Sequence, residues 1–374
     1  MKSYLHAIFF KIVKLIFTFN NQKDLKSLIY IDQGHSQKYE NEKYVVYGQV
    51  SSNFEWIKTY FNAPIFFTPS FYQVLENAKV IGKSGIIAQK KSIWLSSCCE
   101  SIGYLQKSGE SLNILRSLYT KNSTIESPCI SLINIFDANY FHWINDCLPS
   151  LRAYFHYAEH QGVRPKVLIS PFSKDSFQYQ FLLLLGVCKD DIIFKTTTTI
   201  LCKSLLVYNL PYQVKPKSPE WNHMHFLNRT NYDWLREKLM PVRKVKPTRK
   251  VFVVRNTKER RIVNQAEVAA QLIEKGFSVV DVSLLSVKEQ IDLFSETSVL
   301  ITVHGAGLTN IVFSERIKII EFFPMIRYGY STSTFFQISN FFSFEYILCM
   351  CKADNLENIT IDLDLLESMV SKID

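Results

Sequence analysis

Between residues 251 and 323, short apolar runs alternate with stretches whose apolar positions recur every three to four residues. The runs at 251–255, 277–282, 299–303 and 318–323 are rich in Val, Ile and Phe and predict strands. The stretches at 264–275 and 287–296 predict amphipathic helices. Asn264 with Glu267 three residues on has the form of a capping box, Asn at the N-cap and Glu at N3. Strand and helix in alternation predict an α/β class and a doubly wound half-domain, which binds ligands at the carboxyl ends of its strands. Ahead of it, strand-like runs at 44–50, 92–95, 166–170 and 205–210 accompany helical patterns near 138–149 and at 177–185. They predict a first domain over 1–240 and a second over 241–374, with 220–239 and 241–247 forming the connection. A short amphipathic helix at 363–373 ends the chain, and no internal repeat is present.

The 299–303 run opens into His304-Gly305-Ala306-Gly307-Leu308-Thr309-Asn310. A strand that passes through Gly-x-Gly into a helical pattern sets backbone N–H groups at a helix N-terminus, where phosphate oxygens approach closely. Ordinary tight turns carry the same pattern, so the charge distribution changes the picture. The formal net charge is +9, and residues 236–261 hold eleven Lys or Arg against two Glu, a surplus as large as the whole excess. A nucleic-acid surface spreads basic residues over a face or pairs them with stacking aromatics, which argues against nucleic acid as the partner. Here Arg255, Lys258, Arg260 and Arg261 follow a predicted strand on the edge where the His304 turn should also lie. Guanidinium forks suit phosphate oxygens. The basic residues of 243–250, around Pro241 and Pro247, read as a solvated linker.

A second constellation is Asn139-Tyr140-Phe141-His142-Trp143-Ile144-Asn145-Asp146-Cys147-Leu148-Pro149. If Asp137 caps a helix starting near Ala138, His142 and Asp146 stand one turn apart on one face while Trp143, Ile144 and Leu148 face inward. A His and a carboxylate in an apolar, aromatic setting make a general-base pair. The other reading is structural, with Asp146 bonded to backbone near Pro149 and His142 a satisfied core histidine.

Eight cysteines, among them Cys98, Cys99, Cys349 and Cys351, show no CxxC and no His at zinc spacing, so reduced core thiols of a cytoplasmic protein are expected and no metal site. Residues 3–19 are apolar but carry Lys11 and Lys14, fall short of the ~20 residues of a spanning helix and lack a small-residue cleavage site. Leu5, Ile8, Phe9, Ile12, Leu15, Ile16 and Phe19 recur at helical spacing, as in an interfacial membrane helix. Phe10, Val13 and Phe17 broaden that surface and fit a buried domain helix equally.

The segments NYFHWINDCLPSLR (139–152), ERRIVNQAEV (259–268), SVKEQIDLFSETSVLITVHGAGLTNIVF (286–313) and KIIEFFP (318–324) together resemble glycosyltransferase family 61. That family includes bacterial capsule and lipopolysaccharide transferases, plant xylan-decorating transferases and the O-linked N-acetylglucosamine transferase specific for EGF domains. The resemblance spans about 135–324 and is most specific from 251 onward; it does not extend to residues 1 to about 110. It implies a GT-B-like fold of two facing Rossmann-like domains, the donor bound mainly by the C-terminal one and the acceptor by the N-terminal one. It implies inversion without a bound metal or other cofactor, a nucleotide-diphosphate sugar, UDP-linked, as donor, and a glycan or lipid-linked glycan acceptor in bacterial capsule or lipopolysaccharide synthesis. Such an enzyme works in the cytoplasm at the inner face of the membrane. Single displacement then needs a base for the acceptor hydroxyl and positive charge for the departing diphosphate. By similarity Asp146 is the base, with His142 orienting it or substituting for it. Arg255, Arg260, Arg261 and the turn His304, Gly305, Ala306, Gly307, Leu308, Thr309 and Asn310 hold the donor. Glu321, at a strand end, either accepts hydrogen bonds from ribose hydroxyls or is a surface carboxylate. The competing class is a non-catalytic carbohydrate- or nucleotide-binding protein with the same fold. At 374 residues and 47% hydrophobic content, the chain has room for two cored domains.

Overall fold

A computed structural model describes residues 2–20, 29–32, 35–37, 44–47, 65–67, 70–94, 109–120, 123–209, 213–214, 227–240, 246–325 and 334–373. Of the sequence expectations, those for 48–50, 95, 210, 220–226, 241–245, Cys98 and Cys99 lie outside the described residues. The chain is α/β with parallel pairing in both of its compact units, Met1–His35 with Thr68–Pro211 and Ser36–Phe67 with Tyr212–Asp374.

The second unit holds a sheet of six parallel strands, in spatial order Ser278–Val280, Arg249–Val253, Thr297–Val303, Lys318–Met325, Glu345–Lys352 and Tyr44–Tyr47. Its first five strands run in the order 2-1-3-4-5, so the direction of winding reverses between Arg249–Val253 and Thr297–Val303. In open α/β sheets that reversal opens a crevice at the carboxyl ends of the two strands. Strand parity divides the sheet. Phe252, Ile301, Val303, Ile320, Phe322, Ile347 and Cys349 join one apolar core with Val268 and Leu272 of helix Gln265–Glu274 and Leu366 and Met369 of helix Leu363–Val370. Thr302, His304 and Glu321 therefore point to the other face.

Four local expectations are corrected. The Tyr44–Tyr47 strand pairs with Tyr346 to Cys349 and so edges the second unit's sheet, not the first domain. The larger segment of the second unit starts at Tyr212, ahead of the expected 240/241 boundary. Helix Arg229–Leu239 packs into it, and Arg236 donates to the carbonyls of Val312 and Ser314 at 2.7 and 2.6 Å. Asn264 forms no capping box; its amide is taken by the backbone of Ile361, donating at 2.8 Å and accepting at 3.0 Å. The capping box lies instead at Ser286 and Glu289.

The first unit's sheet is mixed rather than purely Rossmann-like. Parallel strands Cys129–Ser131, Lys166–Ile169 and Ile192–Phe194 extend from Thr199–Asn209, which pairs antiparallel with Phe71–Ile81 and the meander Ile86–Gln89 and Ser92–Trp94. Helix Lys2–Ile16 belongs to this unit, with Phe10 and Val13, and Phe17 just beyond its end, in a core with Ile81, Ile86 and Ile93. Ile8, Ile12 and Leu15 are exposed, Leu15 at 86%, alongside the exposed Lys11 and Lys14. The helix is thus a domain helix on one side and leaves an apolar strip exposed on the other. Among the described residues no helix is long and apolar enough to cross a membrane.

Candidate active site

At the winding reversal, Arg255 leaves the Arg249–Val253 strand and the glycine turn leaves Thr297–Val303, so the two expected partners meet. Gly305 has extended backbone, φ 174° and ψ 168°, which any residue adopts. Glycine is required for space: a Cβ there would stand 2.2 Å from Arg255 Nη1. Arg255 is half-buried, and its Nε donates to Thr257 Oγ1 at 2.8 Å. Burial, with the Arg260 charge adding to it, pulls the guanidinium below its ordinary pKa. Among the described residues no carboxylate forms an ion pair with it, which leaves a partly desolvated cation beside the turn.

The turn continues as the 3-10 helix Ala306–Phe313. Leu308, Thr309 and Asn310 are buried, and the polar side chains of the last two bond within and beside the turn. Thr309 Oγ1 donates to Ala306 O at 2.7 Å, and Asn310 Nδ2 donates to Gln290 Oε1 at 2.8 Å and Gly307 O at 3.2 Å. The groups that remain for an anion are the backbone N–H of Ala306 and Gly307, which have no acceptor within the helix they begin.

His304 is fixed by a partner the sequence did not reveal. Its Nδ1 lies 2.5 Å from Glu321 Oε1, and its ring packs against Phe323 and Phe335 at 4.7 and 5.3 Å. The Tyr346 hydroxyl donates to the other Glu321 oxygen. Glu321 is 0% exposed and lies within Lys318–Met325, not at a strand end, so the expected ribose contact is corrected: its carboxylate positions His304. Burial pushes the Glu321 pKa up, opposed by His304. Sheet register was the missing signal, since Thr302 lies opposite Glu321 and places His304 one residue beyond on the same face.

Arg260 and Arg261 turn toward the 354–358 loop. Arg260 sits at φ 55°, in the left-handed region, with its Nε 3.2 Å from Glu357 Oε2. Arg261 is exposed, its N–H donates to Asn358 Oδ1 at 3.2 Å, and its charge helps hold Asp354 below the usual carboxylate range after the N–H bonds of Asn358. The same loop borders a cavity of about 660 Å³ with Asp354, Asn358, Thr360 and Asp362 at its edge and Val263, Cys349 and Cys351 among its walls, which the sequence reading missed.

In the first unit His142 and Asp146 form the expected pair, Nδ1 to Oδ2 at 2.6 Å. The helix differs from expectation. Asn139, not Asp137, caps it, accepting from the N–H groups of Phe141 and His142. Asp137 is buried instead against Ser170, whose hydroxyl donates to it at 2.5 Å, and burial raises its pKa. One α-turn, Tyr140–His142, passes into a π-turn, Trp143–Cys147, and then through Leu148–Ser150 into helix Leu151–Gln161. Trp143, Ile144 and Leu148 are fully buried and anchor the turn. The His142 ring stacks on Phe136 at 4.6 Å, and Asn145 Nδ2 donates to Asp146 Oδ1 at 2.5 Å. Both Asp146 oxygens are thus engaged. With Nδ1–H donated to the carboxylate, the lone pair of neutral imidazole is on Nε2.

No curated protein matches the chain in a sequence comparison. Residues 140–320 match the family model Glycosyltransferase 61, a span that contains His142, Asp146, Arg255 and the whole glycine turn. That match, over the segments that carry both residue groups, supports glycosyltransferase family 61.

Proposed function

We propose that this glycosyltransferase inverts the anomeric centre of a nucleotide-diphosphate sugar, UDP-linked, and works without a metal in the transfer step. The two units serve as the halves of a GT-B-like enzyme, the second holding donor and the first acceptor. The product is a bacterial surface polysaccharide, capsule or lipopolysaccharide. The observation that carries this reading is Arg255 packed against Gly305 at the winding reversal, a cation beside the start of the Ala306–Phe313 helix. They stabilise the diphosphate as its bond to the sugar breaks. His304, held by Glu321, presents its ring to the diphosphate or the sugar. The 660 Å³ cavity, of a size usual for small ligands, takes the nucleoside, with Arg260 and Arg261 at the loop beside it. On the acceptor side the His142–Asp146 pair accepts the hydroxyl proton, through His142 Nε2 with Asp146 holding the ring.

UDP binding by calorimetry in EDTA tests the donor site. Arg255→Ala is expected to weaken UDP by about 1.5–3 kcal/mol, the range for a charge-assisted hydrogen bond. Gly305→Ala should weaken it comparably, because the added Cβ displaces the guanidinium. Arg261→Ala, at an exposed position, measures the part played by the 354–358 loop. Undiminished UDP binding in both turn variants, or an absolute metal requirement, removes this reading. Tight UDP binding with no transfer to any acceptor would instead favour the binding-only class.

Peripheral membrane contact belongs to the same reading, supported by the exposed Ile8, Ile12 and Leu15 beside Lys11 and Lys14. Apolar insertion and attraction to anionic lipid act together on such a face. Co-sedimentation with anionic vesicles should persist in part at high salt and fall away in a double variant, Ile12→Glu with Leu15→Glu, that retains UDP binding. Equal sedimentation of that variant would exclude the helix as the contact.

A further inference from the structure

Strand Ser278–Val280 flanks Arg249–Val253 on the side away from Thr297–Val303, with Val280 level with Val253 and Thr302. It ends at the same rim as those two strands, and its next residue is Asp281. Asp281 caps the 3-10 helix Val282–Leu284, which reaches the glycine turn: a Cβ on Gly307 would stand 3.2 Å from Val282 Cγ2. On its other side Asn256, the neighbour of Arg255, donates from Nδ2 to Asp281 Oδ2 at 2.8 Å. Asp281 is thus tied both to the residue after Arg255 and to the segment that meets Gly307.

The carboxylate is held in place. Its Oδ1 accepts from the Ser283 N–H at 3.0 Å and the Ser283 hydroxyl at 2.6 Å. Burial works against its charge, but the bonds from Ser283 and Asn256 outweigh it and hold the carboxyl below the usual carboxylate range. Among the described residues Oδ2 accepts only from Asn256, so it keeps room for a second donor, and Asn256 Nδ2 keeps a second hydrogen. Asp281 is half-buried and Asn256 exposed, so both groups are open to solvent. An acceptor with a donor beside it suits a hydroxyl, which donates and accepts, whereas a carboxylate repels phosphate oxygens.

We propose that Asp281, with Asn256 beside it, accepts a hydrogen bond from a hydroxyl on a sugar ring of the donor, either the ribose or the sugar being transferred. The role rests on the donor reading above. It takes over the duty expected of Glu321, which is buried behind His304. In dinucleotide-binding sheets an acidic residue about twenty residues beyond the first βα turn bonds a ribose hydroxyl, and Asp281 ends the second strand of the 2-1-3-4-5 set.

The test titrates wild type and Asp281→Asn by calorimetry with UDP, 2′-deoxy-UDP, 3′-deoxy-UDP, UDP-glucose, UDP-galactose and UDP-N-acetylglucosamine. A carboxylate that touches no hydroxyl would leave UDP binding unchanged or tightened in the variant, because a negative charge near the diphosphate is removed. Contact with the ribose predicts that Asp281→Asn binds UDP roughly tenfold or more weaker, with one of the two deoxy compounds bound alike by both proteins. Contact with the transferred sugar predicts unchanged UDP and the same loss on the UDP-sugar that the wild type binds most tightly. Asn256→Ala, at an exposed position, should weaken the same ligand and carries the test if Asp281→Asn melts below the wild type. A wild type that binds no UDP removes the donor reading and this role together. Normal UDP binding with no loss for any of these ligands in the variants overturns the Asp281 role alone.

Discussion

Asp146→Asn is expected to lower turnover by ~10²–10⁴, the usual contribution of general acid–base catalysis, while leaving UDP affinity nearly unchanged. The substitution keeps the shape of the side chain and its bond to Asn145 or His142, but removes the negative charge that stabilises the imidazolium formed when His142 takes a proton. His142→Ala should cost as much or more, because it deletes the proton acceptor itself. The order of the two effects decides the assignment. If His142→Ala is milder than Asp146→Asn, the carboxylate is the base and the imidazole only orients it. Near-normal turnover in both variants removes the pair from the mechanism, and loss of UDP binding in either would mark it as structural.

The second large effect is on stability. Glu321 is fully buried and shared between His304 and Tyr346, so Glu321→Ala leaves an imidazole and a phenol without their acceptor and opens a void between them. Breaking such a buried pair costs about 3–5 kcal/mol. Chemical denaturation should show that loss, and Glu321→Gln, which keeps an acceptor oxygen of the same size, should recover much of it. Donor affinity should fall with Glu321→Gln even where stability is largely kept, since the His304 ring is then held by a neutral group. An Ala variant within about 1 kcal/mol of wild type would show that the network does not hold this part of the sheet together.

The strongly periodic stretch 251–323 was legible because each strand and helix there carries its own local signal, and the helix Val287–Glu296 appears with the bounds its periodicity gave. The approach of Arg255 to the glycine turn followed from the winding rule for alternating strands and helices. What remained hidden depends on pairing between distant segments. Nothing local in Tyr44–Tyr47 says that it will edge a sheet built some 300 residues later. Likewise Glu321 reads as exposed until the register with Thr302 sets it behind His304. Asn264 and Asp137 failed as caps for a common reason: each is a short polar side chain with a nonlocal partner, Ile361 and Ser170, that outcompetes the nearest helix end. The side chains of Thr309 and Asn310 bond the turn itself, as small polar residues in a tight turn do.

The π-turn Trp143–Cys147 amounts to one surplus residue inserted between the short helical start at Tyr140 and the long helix after Leu151. Each residue of an α-helix advances the chain by about 100° around its axis. A one-residue deletion in this stretch would let ordinary hydrogen bonds close and would swing His142 about 100° away from its present heading, with Phe136 and Asp146 no longer lined up beneath it. The helix would be mended and the site lost. For a variant of this chain, a change of length in that short interval is therefore expected to disturb the His142–Asp146 pair more than most single substitutions within it.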